Sequence, residues 1–188
     1  MSSIIEHEEV FRIAYEVRQF IEPKWSQVRS FFGWTLYPDK CPSKNMCGIS
    51  SSFLCLVLST KIPGEGWRVV GGSDPDPFEI DDVIDPSLGL PGGYRDPAGV
   101  WYDHHWVQNS SGTLAVDITQ DQFGGPTVAT IDLSRQDELW APSLRRNWLT
   151  DAEDALSVCY DAIFITDWMT EWIESRKHYS NHLGDTQR

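Results

Sequence analysis

The sequence predicts an α+β fold, because its helical and strand-like patterns occupy separate stretches of the chain. Apolar residues recur at helical spacing near both ends, whereas the middle of the chain carries short apolar runs separated by turn residues. A doubly wound sheet requires strands and helices to alternate, and this order lacks that alternation. At about 100–200 residues per domain, the length of 188 residues predicts a single domain over residues 1–188.

Helical patterns fill the N-terminal part of the chain, residues 1–36. Apolar residues at helical spacing predict a helix over 3–21. Pro23 interrupts it, because proline lacks the amide hydrogen that a helix interior needs. The aromatic and apolar residues that follow predict a short second helix over 25–32.

Two further helices are predicted. The apolar run over 46–60 has the length of a buried helix, with Ser43 or Asn45 as its N-cap. A long C-terminal helix is predicted over 150–176, where apolar residues form one face and a capping-box pattern begins at Thr150.

Short strands are predicted between these helices, where apolar runs are bounded by turn residues. The predicted strands are 67–70, 100–108, 113–119 and 127–133. Residues 109–112 (Asn-Ser-Ser-Gly) have the composition of a hairpin turn. The acidic, Pro/Gly-rich stretch 73–99 predicts a long loop, and residues 134–149 are predicted to be irregular.

The charge and composition exclude several classes of function. Asp and Glu outnumber Lys and Arg by 28 to 15, which gives a net charge of −13. This charge repels phosphate backbones and anionic lipids, so we expect neither a nucleic-acid nor a membrane partner. No apolar run approaches the ~18 residues of a membrane span, and no secretory signal is visible at the N-terminus. We therefore expect a cytoplasmic protein whose four cysteines are reduced.

Cys47 is the first candidate for chemistry. It lies in the first turn of the helix predicted over 46–60. There, unpaired amide groups and the positive end of the helix dipole favour the thiolate and lower the thiol pKa, as a nucleophile requires. Most cysteines in such apolar segments are buried and inert, so Cys47 needs partners before it can be called reactive.

The hairpin predicted over 100–119 supplies those partners. A turn centred on residues 110–111 places His104 directly opposite Asp117. A carboxylate there can hold one ring nitrogen and orient the other toward a nucleophile. In this register His105 points to the other face of the sheet, and a one-residue slip would exchange the two histidines.

These motifs resemble the papain-like superfamily, most closely its transglutaminase-like and bacterial cysteine-peptidase branches. The matching stretches are Met46-Cys47-Gly48, the His-His-Trp-Val-Gln run at 104–108, and the run 116–124 that contains Asp117 and Thr119. The resemblance covers residues 46–58 and 104–124 only.

The resemblance implies a central helix packed on an antiparallel sheet, with additional helices at its flanks. It also implies that Cys47 is the nucleophile, His104 the general base and acid, and Asp117 the orienting residue. The chain departs from papain in one respect, because no glutamine lies between Phe31 and Cys47 to supply an oxyanion hole. The implied activity is hydrolysis of an amide in a protein or peptide substrate, by a peptidase or a deamidase that needs no metal or other cofactor. An amine replacing water would make the reaction a transglutaminase-type acyl transfer.

Two other interpretations stay open. Cys47, His104 and Asp117, or Cys41 and His105, could bind zinc, although no tight ligand spacing supports a metal site. The high acidity, the nine tryptophans and the small size also suit a non-enzymatic interaction protein. The sequence indicates no oligomeric state.

Overall fold

A computed structural model describes residues 2–34, 41–72, 93–135, 144–145, 148–151 and 162–184. Over these residues the protein is a mixed α+β structure with an antiparallel sheet and several helices, as predicted. The α-helices are α1 (Ser2–Ile21), α2 (Trp25–Phe32), α3 (Cys47–Lys61) and α4 (Ala162–Gly184). The strands are β1 (Arg68–Gly72), β2 (Gly93–Arg95), β3 (Trp101–Tyr102), β4 (His104–Gln108), β5 (Leu114–Asp117), β6 (Ala129–Asp132), β7 (Leu144–Arg145) and β8 (Trp148–Asp151).

The first three helices confirm their predicted positions to within one residue. Pro23 interrupts the helical run as expected, and residues 22–24 form a short 3₁₀ turn between α1 and α2. The predicted N-cap of α3 is wrong. Met46 occupies the cap position without a side-chain hydrogen bond to the helix. The reason is a tight turn, in which the Met46 N–H donates to the Ser43 carbonyl over 2.9 Å and Asn45 adopts a φ of 64°.

The main sheet has five strands in the order β6-β5-β4-β1-β8. The pairs described within it are antiparallel. Helix α3 packs on β4, and it also contacts α1 and α4, so it lies between the sheet and the flanking helices. This position explains its composition, because a helix covered on several sides must be apolar over most of its surface.

The two faces of the main sheet carry separate apolar clusters. On the helical side, Val107 and Val116 belong to the large core that includes α1, α3 and α4. On the other side, Trp106 and Ala115 pack in a smaller cluster with Ile131. Side chains along β4 and β5 therefore alternate between the two faces of the sheet.

The register of the β4–β5 hairpin differs by two residues from the prediction. Gln108 lies opposite Ala115 instead of Thr113. The Asn109 side chain explains the difference, because its Oδ1 accepts the backbone N–H groups of Thr113 and Leu114, each over 3.0 Å. This closes a loop of four residues, 110–113, in place of a two-residue turn. A shift by two residues keeps every side chain on its predicted face.

Several predicted boundaries need correction. The predicted strand 100–108 divides at Asp103, and its two halves belong to different sheets, because β3 pairs with β2 in a three-stranded sheet that also contains β7. The loop predicted over 73–99 is wrong at Gly93–Arg95, which form β2, while residues 73–92 lie outside the described part of the chain.

The C-terminal predictions also need correction. Part of the stretch predicted as irregular over 134–149 forms β7 and the start of β8. The helix predicted over 150–176 is wrong at its start, because Thr150 pairs with Val69 within the sheet. That helix is described only from Ala162, and it continues to Gly184. The capping-box residue Glu153 lies outside the described residues.

At Gly93 the backbone of β2 lies close to the end of β1 in the main sheet. A Cβ atom there would lie 2.1 Å from the Tyr102 carbonyl oxygen and 2.7 Å from that of Gly72, and its φ is 93°. Only glycine fits both constraints.

None of the helices among the described residues is long and apolar enough to cross a membrane.

Candidate active site

Cys47 is the first residue of α3, which places its thiol beside the amide groups that a helix start leaves without intrahelical acceptors. The N-cap residue Met46 makes no side-chain hydrogen bond to this end of the helix. The sequence prediction of a thiol at the positive end of a helix dipole is therefore confirmed. Cys47 is 9% exposed, so it lies at the edge of the core beside the exposed residues Lys44 and Asn45.

Two histidine rings influence the Cys47 thiol. Its Sγ lies 3.4 Å from Nδ1 of His105. Burial raises the pKa of the thiol, but hydrogen bonds from His104 and His105, together with the positive charge of both rings, outweigh burial and lower that pKa to about 5. A cysteine with such a pKa is largely a thiolate at neutral pH.

His104 is held by the carboxylate of Asp117. The His104 Nε2–H donates to Asp117 Oδ2 over 2.6 Å, and both side chains are fully buried. Burial lowers the pKa of His104, but the negative charge and hydrogen bond of Asp117, followed by those of Cys47, raise it to about 10. Cys47, His104 and Asp117, which the sequence predicts as one site, are therefore brought together.

The segment after β5 fixes the orientation of Asp117. Its other oxygen, Oδ1, accepts the backbone N–H of Thr119 over 2.8 Å and the Thr119 hydroxyl over 3.1 Å. Three donors thus converge on one buried carboxylate, which satisfies it and limits its rotation.

A buried arginine of α1 anchors the same segment. Arg18 forms two parallel hydrogen bonds to the Asp121 carboxylate, each 2.9 Å long, and it also donates to the Ile118 carbonyl. Glu22 accepts from the Arg18 Nε over 2.8 Å, and the guanidinium lies over the ring of Trp25. This ion pair ties the end of β5 to the helical side of the molecule.

Two residues that the sequence pattern does not assign to the site also lie there. His105 was placed on the face opposite His104, and alternation along β4 does separate them. His105 still reaches Cys47, because α3 packs on that face; a Cβ added at Gly48 would lie 4.0 Å from its Nδ1. Gln122 has its Nε2 3.3 Å from Nδ1 of His104. Its side chain therefore lies at the reactive centre.

The arrangement supports nucleophilic chemistry at sulfur. Between pH values of about 5 and about 10 the pKa shifts favour a Cys47 thiolate beside a protonated His104. Cys41, Cys47 and Cys55 form no disulfide bond. Among the residues that the structure describes, no group of three or more His, Cys, Asp or Glu side chains is arranged to hold a metal ion.

Comparison of this chain with protein-family models, with curated proteins and with solved structures gave no match. The function therefore has to be argued from the geometry of the site.

Proposed function

We propose that this protein is a cysteine-dependent amide hydrolase of the papain-like type, with Cys47 as its nucleophile. The observation that carries this proposal is the position of the Cys47 thiol at a helix start, where His104 lowers the thiol pKa and a buried carboxylate holds that imidazole at 2.6 Å. The packing of α3 on β4, with Asp117 on the adjacent strand β5, supports the papain-like assignment.

The proposed reaction has two steps. In the first, the Cys47 thiolate attacks the carbonyl carbon of the amide, a C–S bond forms and the C–N bond breaks. The leaving amine takes its proton from the His104 imidazolium, whose orientation Asp117 maintains. In the second step, His104 removes a proton from water and the resulting hydroxide attacks the thioester. The C–S bond breaks, a carboxylic acid leaves, and the Cys47 thiolate and the His104 imidazolium are restored.

The acceptor in the second step decides between hydrolysis and acyl transfer. A primary amine that attacks the thioester yields a new amide, which is the transglutaminase-type reaction. We propose water as the acceptor and a protein or peptide as the substrate. We also propose that the protein is located in the cytoplasm.

Acylation by p-nitrophenyl acetate tests the proposal without knowledge of the natural substrate. We expect a burst of p-nitrophenolate and a mass increase of one acetyl group on the Cys47 peptide. Cys47→Ala abolishes both signals, and the matched control Cys41→Ala keeps them. A burst of p-nitrophenolate that persists in Cys47→Ala contradicts the proposal.

The same experiment separates the competing interpretations. Regeneration of the free thiol in buffer indicates hydrolysis, whereas faster regeneration with added cadaverine, accompanied by N-acetylcadaverine, indicates acyl transfer. Loss of acylation on treatment with a chelator, together with zinc found by elemental analysis, would favour the metal site. Equally slow modification of all cysteines would favour an interaction protein.

A further inference from the structure

A cavity of about 640 Å³ adjoins the reactive centre. Two of its lining residues contact His104 directly. The Phe123 ring meets the imidazole edge-on with 4.9 Å between the ring centroids, and Gln122 Nε2 lies 3.3 Å from Nδ1. A side chain bound in this cavity is therefore a neighbour of the group that Cys47 attacks.

Aromatic rings form much of the cavity wall. Tyr94 stacks on Phe123 with 4.1 Å between the centroids, and Tyr102 lies 5.8 Å from the same ring. Trp101 completes the aromatic lining. The faces of such rings carry negative electrostatic potential and attract cations within about 6 Å. The Arg95 guanidinium lies 5.9 Å from the centroid of Trp101, so this ring already attracts a cation of the chain.

Two carboxylates share this wall. Asp96 is fixed in place, because its carboxylate accepts the Val100 N–H over 2.8 Å and the Tyr102 hydroxyl over 3.2 Å. Asp103, on the short link between β3 and β4, also lines the cavity. Among the lining residues that the structure describes, the exposed Lys44 is the one side chain of the opposite charge.

We propose that this cavity binds the cationic side chain of a lysine or arginine next to the amide that Cys47 attacks. This inference rests on the proposed function, since it identifies the substrate of the same site. A cation gains from both the aromatic faces and the carboxylates. An acidic side chain is repelled by Asp96 and Asp103, and a purely apolar one desolvates these carboxylates without providing a partner.

A pair of acylating probes tests the inference. The p-nitrophenyl esters of Nα-acetyl-lysine and Nα-acetyl-norleucine share a four-carbon stem and differ in the ammonium group. We expect the lysine ester to acylate Cys47 about tenfold faster, the factor that corresponds to a cation–π contact of ordinary strength. Asp103→Asn lowers this ratio severalfold. The control Asp167→Asn, which removes an exposed carboxylate on α4, leaves the ratio unchanged.

The outcomes distinguish a failure of the cation site from a failure of the proposed function. Equal rates for the two esters, or a ratio that Asp103→Asn leaves intact, overturn the cation site while acylation of Cys47 continues to support the proposed function. A faster reaction of the norleucine ester also overturns the cation site. Failure of both esters to acylate Cys47 overturns the proposed function, and with it this inference.

Discussion

Cys41 and Cys47 lie six residues apart, and the fold shifts the pKa of their thiols in opposite directions. The Cys41 Sγ donates to Asp121 Oδ2 over 3.1 Å and lies 3.1 Å from the Ser43 hydroxyl. Burial raises the pKa of Cys41, and the hydrogen bond and charge of Asp121 raise it further, although Ser43 acts against them. Next to the imidazoles, the pKa of Cys47 falls to about 5.

The comparison shows that neighbouring charge, and not exposure, decides which thiol ionises. Cys41 is the more exposed of the two, yet it is the weaker acid. Its neighbour Asp121 is paired with Arg18, so this cluster joins α1 to the segment after β5. The Cys41 cluster thus stabilises the fold, whereas we propose that the Cys47 cluster provides a nucleophile.

Asp117→Asn has the largest expected effect on the difference in pKa between the Cys41 and Cys47 thiols. The asparagine oxygen can keep both hydrogen bonds from Thr119, while its amide group replaces the acceptor that His104 Nε2 requires. We expect acylation by p-nitrophenyl acetate to slow by about 100-fold or more. The pKa of Cys47, measured from the pH dependence of alkylation, should rise toward that of an ordinary thiol. An unchanged acylation rate would show that Asp117 does not orient the base.

Arg18→Gln acts on the other cluster. Loss of a buried ion-pair partner leaves the Asp121 carboxylate uncompensated, and we expect the free energy of unfolding in urea to fall by about 3 kcal/mol. The control Arg12→Gln removes exposed ion pairs to Glu9 and Glu16 and should cost less than about 1 kcal/mol. In the folded Arg18→Gln protein, the low pKa of Cys47 persists. A shift of that pKa would mean that the two clusters are coupled.

The two histidines provide a separate test. His104 is held by a buried carboxylate, whereas His105 is half-buried and meets the sulfur at 3.4 Å. We expect His104→Gln to abolish measurable acylation and His105→Gln to slow it about tenfold, since His105 provides one hydrogen bond to the thiolate. A larger loss in His105→Gln would make His105 the base and would reverse the assignment.

The sequence predicted the positions of three helices correctly, but it did not predict the start of the fourth. The periodicity of α1, α2 and α3 gave their positions, because each buries a regular apolar face or lies wholly within the core. The start of the C-terminal helix was wrong, because Thr150 belongs to a strand that pairs with β1, a long-range contact that local pattern does not reveal.

The hydrogen bond between His104 and Asp117 was predictable, because it depends on which face of the sheet each side chain occupies. The predicted register of the β4–β5 hairpin was wrong by two residues, because the sequence pattern does not reveal that the Asn109 side chain closes the loop. A shift by an even number of residues leaves each side chain on the same face of the sheet. The contact between Cys47 and His105 was not predictable, because it depends on how α3 packs against β4.

The pH dependence of alkylation at each cysteine tests the central claim most directly. Iodoacetamide is added between pH 4 and pH 9, and the Cys41 and Cys47 peptides are quantified by mass spectrometry. Since a lowered pKa yields thiolate as the pH rises through it, the Cys47 rate should rise around pH 5 and then level off. The Cys41 rate should still be rising at pH 9, because its pKa lies above the ordinary value of 9.0. A Cys47 rate that rises only near pH 9, in parallel with Cys41, would contradict the account.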